Sequence, residues 1–361
     1  MKRRPEQDRL ARLKQTMSEN GLDSLLVTRR EDVRYLSGFT GSSGSLLVAS
    51  GRSCLITDFR YSVQARKETT GITILIQKKD HFTAVRDAGE HMGVDTLWFD
   101  ESALTVEALK KFKKKGFKLK GHADLVKTLR QQKDKQELAN IRTAIRRAEE
   151  AFLQLQADIK PGATEQGLGL KLDYLMREKG ARKSAFDTIV ASGAHGAMPH
   201  ASVTNRCIKK GDLVTFDFGA EANGYYSDMT RTFCVGRPSA RQRDIHELVL
   251  RAQSAAIQSI SSGVSCKSVD DAARKVIKGA GHGKHFGHGT GHGIGLMVHE
   301  GPSISPLSND TVEESMVFTV EPGVYIPGWG GVRIEDMVQV TEKGARVLTS
   351  LPRELDSLRY I

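Results

Sequence analysis

The dipeptide Asn223-Gly224, set between two runs of β-branched and aromatic residues, constrains this chain more than any other feature of its sequence. Asn-Gly is a strong short-range hairpin signal, because both central residues of the favoured two-residue turn take positive φ. The segment around it, Leu213 to Val235, reads LVTFDFGAEANGYYSDMTRTFCV. With Asn223 and Gly224 as the loop, Ala222 faces Tyr225, Asp217 faces Thr230, and Gly219 faces Asp228. Side chains alternate along a strand, so Asp217 shares a face with Gly219 and becomes a diagonal neighbour of Asp228. Two carboxylates held together among Phe216, Phe218, Met229 and Phe233 repel one another unless positive charge lies between them.

Two further segments supply similar chemistry. From Phe286 to Glu300 the chain reads FGHGTGHGIGLMVHE, with glycine at 287, 289, 291, 293 and 295, a pattern unfavourable to a helix. In an extended chain His288, Thr290 and His292 face one way, and the glycines let another backbone approach the other face. From Val317 to Val340, two β-rich runs flank a Gly-Trp-Gly-Gly turn, and each carries a lone acid in apolar company, Glu321 and Glu335. The longer turn leaves the register of these two open. A buried, unpaired carboxylate is costly, and a bound metal ion removes that cost. Four carboxylates and one imidazole (Asp217, Asp228, His292, Glu321, Glu335) suit Mn(II), Co(II), Fe(II) or Zn(II) rather than Cu(I) or an iron–sulfur cluster. Four carboxylates would over-neutralise one divalent ion. Two ions roughly 3.5–4 Å apart, sharing bridging carboxylates and activating a water, balance the charge.

The rest of the chain has an ordinary globular composition. A length of 361 residues suits two domains, and 39% apolar with 27% charged residues fits a soluble protein. Neither a membrane span of roughly 18 apolar residues nor an apolar leader after the basic start MKRRPEQDRLARLKQ is expected. Four scattered cysteines without a CxxC pair argue for a reducing compartment, so the expected address is the cytoplasm. Of the net charge of +11, most lies in residues 1–132, which hold 25 Lys/Arg against 16 Asp/Glu. Seven lysines between Lys110 and Lys120 contribute much of it. They read as the solvated face of a surface helix and the following strand rather than a nucleic-acid site, since no aromatic-rich RNA-binding pattern accompanies them.

Alternating elements define an α/β domain over residues 1–128. Helices are expected at 9–20, 82–92 and 106–115, and strands at 24–28, 45–49, 54–57, 72–77 and 96–99. A second, α+β domain spans 134–361. It opens with a long helix over 133–157 and another near 164–179, then turns to strands and glycine-rich turns.

The order Asp, Asp, His, Glu, Glu, carried by DFGAEANGYYSDMTRTF, GHGIGLMVHE, TVEPGVY and GVRIED, resembles the pita-bread metallopeptidases, the group that includes methionine aminopeptidase, aminopeptidase P, prolidase and creatinase. SGFTGSSGSLLV and TDFRYSVQA in the first domain resemble the creatinase/prolidase N-terminal domain, in particular that of bacterial aminopeptidase P. The resemblance implies a homodimer and two divalent metals, Mn(II) foremost. Asp217 would hold one metal, His292 and Glu321 the other, and Asp228 and Glu335 would bridge both. It further implies that His200 and His299 act on the substrate, with Glu321 as proton carrier near the nucleophile. His288 and Arg333 would line the substrate pocket, and Arg333 would also orient Asp217 or Asp228. His195, His282 and His285 are read as surface residues.

The substrate implied is a peptide with proline second, cut before the proline. A prolidase must bind a dipeptide carboxylate, for which arginine is the natural partner. Some microbial prolidases carry that arginine directly after the HExP string. Here Ser303 follows His299-Glu300-Gly301-Pro302, and no Lys or Arg occurs between Glu300 and Pro322. The expected activity is therefore Xaa-Pro aminopeptidase, with Xaa-Pro dipeptidase as the alternative. An inactive binding relative is disfavoured, because all five ligands are present together with His200 and His299.

Overall fold

The structure is a computed structural model that describes residues 4–356. The outermost residues of the basic start and of the second domain, 1–3 and 357–361, lie outside the described residues. Contacts divide the chain at Arg130 into two compact units.

In the first unit, strands β1 (Ser24–Val27), β2 (Ser45–Ala49), β3 (Ser53–Thr57), β4 (Thr73–Ile76), β5 (Thr96–Asp100) and β6 (Lys118–His122) form one sheet in the order β4-β3-β2-β1-β5-β6. Helices α1 (Pro5–Glu19), α2 (Arg30–Ser37), α3 (Ser62–Glu68), α4 (His81–Met92), α5 (Val106–Lys114) and α6 (Leu125–Gln131) accompany it. The core joins Leu47, Ile56 and Leu97 of the sheet with Val85 of α4 and Phe112 of α5. Phe112 is buried while Lys110, Lys111, Lys113 and Lys114 on the same helix are exposed, so this stretch is an amphipathic surface helix. The strands and long helices lie where the sequence pattern puts them. The short α2 and α3 were not legible from periodicity.

The second unit begins with α7 (Lys135–Leu155). The Asp134 carboxylate accepts from the amides of Gln136 and Glu137, and the Glu137 carboxylate accepts from the Asp134 amide, a reciprocal cap that fixes the helix start. After α8 (Glu165–Glu178) come β7 (Lys183–Ser184), β8 (Ile189–Ser192), β9 (Leu213–Phe218), β10 (Ala220–Ala222), β11 (Tyr225–Tyr226) and β12 (Met229–Cys234). Two long helices follow, α9 (Ala240–Ser259) and α10 (Cys266–Gly279), in a region the sequence presented mainly as strands and turns. They pack under a second layer formed by β13 (Gly291–Gly293), β14 (Glu300–Ile304), β15 (Val317–Val320), β16 (Gly323–Ile326), β17 (Gly330–Arg333), β18 (Asp336–Thr341) and β19 (Gly344–Val347). The sheets run β12-β9-β8, β11-β10-β7, β14-β13-β15-β18-β19 and β16-β17.

The Asn-Gly hairpin folds in the expected register. Asn223 and Gly224 take φ of 52° and 79°, Ala222 pairs with Tyr225, and Asp217 pairs with Thr230. Phe216, Phe218 and Phe233 turn towards α7, where the Phe152 ring lies 5.0–5.6 Å from all three. With Phe216 and Phe218 committed to that apolar stack, alternation sends Asp217 to the opposite face.

Candidate metal centre

The five predicted donors line one cavity of about 480 Å³ in the second unit, together with His200, His288, His299 and Arg333. The β9/β12 hairpin delivers Asp217 and Asp228 to it. The outer sheet delivers Glu321 and Glu335. Val320 pairs with Asp336 and Gly323 with Arg333, so Glu321 stands opposite Glu335 in one continuous register that the sequence alone left open.

The fifth donor arrives on β13, whose glycines are steric requirements. A Cβ on Gly291 would lie 1.9 Å from the Thr319 carbonyl oxygen, and one on Gly293 would lie 1.9 Å from the Gly301 carbonyl oxygen. Only a strand without side chains at these positions fits between β14 and β15 while presenting His292. The extended pattern covers only residues 291–293. Thr290 therefore does not join His288 and His292 at the cavity. Its amide and hydroxyl both donate to Asp270 on α10, which anchors the strand from behind.

His292 Nδ1 donates to the Gly293 carbonyl at 3.1 Å, leaving a lone pair on Nε2. That nitrogen lies 3.3 Å from Glu321 Oε1 and 3.6 Å from Asp228 Oδ2. Burial holds the His292 pKa below its ordinary value. Asp228 and Glu335, 5% and 2% exposed, have pKa values raised well above the ordinary carboxyl value, first because they are buried, then because Glu335 crowds Asp228, and Asp217 and Glu321 crowd both. Glu321 is raised for the same leading reason, burial.

Hydrogen bonds hold one side of three of the four carboxylates. Thr230 donates to Glu335 Oε2 at 2.6 Å, Thr319 to Glu321 Oε1 at 3.0 Å, and Arg333 Nη2 to Asp217 Oδ2 at 2.6 Å. The other sides are left open: Asp217 Oδ1, Asp228 Oδ1 and Glu335 Oε1 are buried with no hydrogen-bond partner. Three partnerless carboxylate oxygens beside an imidazole lone pair fit divalent cations, since Arg333, paired with Asp217, supplies one positive charge against four carboxyl groups. Donor atoms of Asp228, His292 and Glu335 all lie within 4.8 Å of one another. Asp32, Asp100 and Asp124 in the first unit form another acidic trio, but Arg29 reaches all three and Arg130 pairs with Asp32, so cations already neutralise it.

Arg333 is 4% exposed, and four of its five N–H donors are engaged. Besides Asp217, it donates to the Thr230 hydroxyl, the Pro199 carbonyl and the Tyr325 hydroxyl. His288 donates from Nδ1 to the Gly289 carbonyl, so its Nε2 accepts from Tyr325 at 3.0 Å. Arg333, Tyr325 and His288 thus form a directed chain along the cavity wall. The His299 ring meets the His292 ring edge-on at 4.1 Å. His200 is exposed at the mouth. Of the histidines read as surface residues, His195 differs: its Nδ1 lies 2.9 Å from the fully buried Glu165 carboxylate. Tyr325, Thr230 and Thr319 escaped the sequence reading, because a hydroxyl on a strand carries no signal without its partner. Phe186, Asp187 and Ile189, which also line the cavity, escaped it too.

A mixed α/β N-terminal unit, followed by a pita-bread unit that gathers four carboxylates and a histidine, defines a metal-dependent hydrolase. The chain belongs to metallopeptidase family M24: residues 139–342 match that family, and residues 9–132 match the creatinase/prolidase N-terminal domain. It is 38% identical to the Xaa-Pro dipeptidase of Pyrococcus furiosus, over 96% of this chain and 99% of that one. Among solved structures, the Xaa-Pro dipeptidase from Bacillus anthracis superposes with a TM-score of 0.94 at 38% identity, covering 97% of this chain and 99% of the other. The X-Pro aminopeptidase from Thermotoga maritima gives 0.89 at 37% identity, covering 96% and 99%. Divalent metal dependence and peptide hydrolysis come with the family. No helix among the described residues is long and apolar enough to cross a membrane.

Proposed function

We propose that the chain is a dinuclear metal exopeptidase that removes the N-terminal residue from peptides with proline in second position. The observation that carries this reading is the set of partnerless buried oxygens on Asp217, Asp228 and Glu335, opening into the cavity beside His292 and Glu321. Asp217 would hold one ion, His292 and Glu321 the other, and Asp228 and Glu335 both, with Mn(II) the expected metal. Such a pair of ions supplies Lewis-acid polarisation of the scissile carbonyl and water activated near neutral pH.

The protein's own groups do the rest. Glu321, oriented by Thr319, accepts the proton from the attacking water. Burial lowers the His299 pKa; its ring hydrogen-bonds the substrate amide and relays the proton that Glu321 has taken up to the leaving proline nitrogen, ending as it began. His200 at the mouth steadies the peptide. Arg333 positions Asp217, with four of its five N–H donors engaged by the protein itself.

That engagement also bears on substrate length. Among the described residues Arg333 is the one Lys or Arg lining the cavity, and Ser303 stands where a carboxylate-binding arginine would help a dipeptidase. Xaa-Pro-Yaa is therefore the preferred substrate. Dipeptidase activity is the second reading, favoured by the names of the relatives from P. furiosus and B. anthracis. Assaying the Mn(II)-loaded protein on Xaa-Pro, Xaa-Pro-Yaa and Xaa-Ala-Yaa side by side tests both. Cleavage of the alanine peptide as fast as the proline peptide would refute proline specificity, and faster cleavage of Xaa-Pro would establish the dipeptidase.

A further inference from the structure

We infer that a groove beside the cavity receives the part of a longer substrate that follows the proline, and that it favours a basic side chain there. This rests on the exopeptidase reading above. The groove, about 400 Å³, lies between α8 and the segments around Thr188 and Ser202. Asp187, Ile189 and His200 line both it and the metal cavity, so the two spaces adjoin. An enzyme that removes one N-terminal residue has substrates that lengthen only at the carboxyl end. We assign the adjoining space to residues beyond the proline.

The groove has apolar walls and a one-signed charge. Leu170, 65% exposed on α8, and Val203 and Ile189 offer aliphatic surface that otherwise faces solvent. Among the described residues its charged lining side chains are Asp173 and Asp187, with no Lys or Arg. Ser184 and Thr188 donate to Asp173 Oδ1 at 2.7 and 2.6 Å, which fixes this carboxylate in place. Asp187 is exposed at the junction with the cavity. A lysine or arginine of the substrate can lay its methylenes on the aliphatic wall and bring its charge to these acids. A glutamate there meets only like charge.

The test is kcat/KM of the Mn(II)-loaded protein on C-terminally amidated Ala-Pro-Xaa-Ala and Ala-Pro-Ala-Xaa, with Xaa as Lys, Ala or Glu. Amidation removes the terminal charge. At one of the two positions Lys should exceed Glu by about fivefold or more, each solvent-accessible pair contributing roughly two- to fivefold. Asp187→Asn should shrink that ratio. Leu170→Lys, outside the metal cavity and on an exposed helix face, should bring it to one or below. A Lys-to-Glu ratio near one at both positions in the wild type, or an unchanged ratio in both variants, would overturn the inference while leaving the exopeptidase reading intact. Failure to cleave any of these peptides would overturn that reading, and this inference with it.

Discussion

The Arg333 guanidinium donates to Asp217 Oδ2 at 2.6 Å while three more of its five N–H donors hold Thr230, Tyr325 and Pro199. An arginine held at four points in this way fixes the geometry of a carboxylate. Arg333→Lys keeps the charge but loses the fork. It should lower kcat by about tenfold or more, with KM changing less than about threefold. A large rise in KM at unchanged kcat would return Arg333 to the substrate.

Asp228 is buried beside Glu335, and each has an oxygen without a partner. Metal removal should leave these buried carboxyl groups without a partner, so chelation should lower the Tm of the wild type. Asp228→Asn should lose activity by at least about 10³-fold and show little further drop in Tm on chelation, because a site that binds metal weakly has little stabilisation to lose. Equal chelation shifts in the two proteins would detach Asp228 from metal binding.

The legible parts of the site were those fixed by short-range rules. The two-residue Asn-Gly turn sets every pairing of β9 with β12, so Asp217 and Asp228 could be placed from sequence. Glu321 and Glu335 could be named but not paired, because a second hairpin, Gly323–Arg333, lies between them and its turn length determines the register. Thr290 was placed with His288 and His292, although its amide and hydroxyl are committed to Asp270 on α10. That is a contact twenty residues away on a helix the glycine and histidine patterning concealed. The hydroxyls that orient the acids, Thr230, Thr319 and Tyr325, become visible only once strands distant in sequence meet.

Ser303 lines the cavity, with its hydroxyl on Ser305 and its amide 3.4 Å from Asp310 Oδ2. A dipeptide must place its carboxylate next to the proline ring, and desolvating it without a cation costs on the order of a few kcal/mol. Xaa-Pro-Yaa should accordingly be cleaved with kcat/KM roughly tenfold or more above Xaa-Pro. Ser303→Arg should narrow the gap by raising the dipeptide rate. Dipeptide turnover equal to or above tripeptide turnover in the unmodified protein would refute this.

His246 on α9 gives a pH dependence separable from catalysis. It is 5% exposed, its Nε2 has no partner, and burial pulls its pKa down from 6.5 to about 4. The unfolded chain takes up a proton near pH 6.5 that the folded chain refuses until about pH 4. The stability contributed by the neutral ring is therefore complete above about pH 6.5, falls as the pH drops, and is lost once the folded pKa is passed. Each pKa unit corresponds to about 1.4 kcal/mol, so between pH 7 and pH 5 the wild type should lose about 2 kcal/mol more than His246→Gln. The measurement is urea unfolding of both proteins with chelator present, so that metal release at low pH does not contribute. A Trp98→Phe background leaves Trp329 fluorescence to report on the second unit. A difference between the two proteins that does not change from pH 7 to pH 5 would mean that His246 is protonated in the folded state, and that α9 tolerates a buried imidazolium.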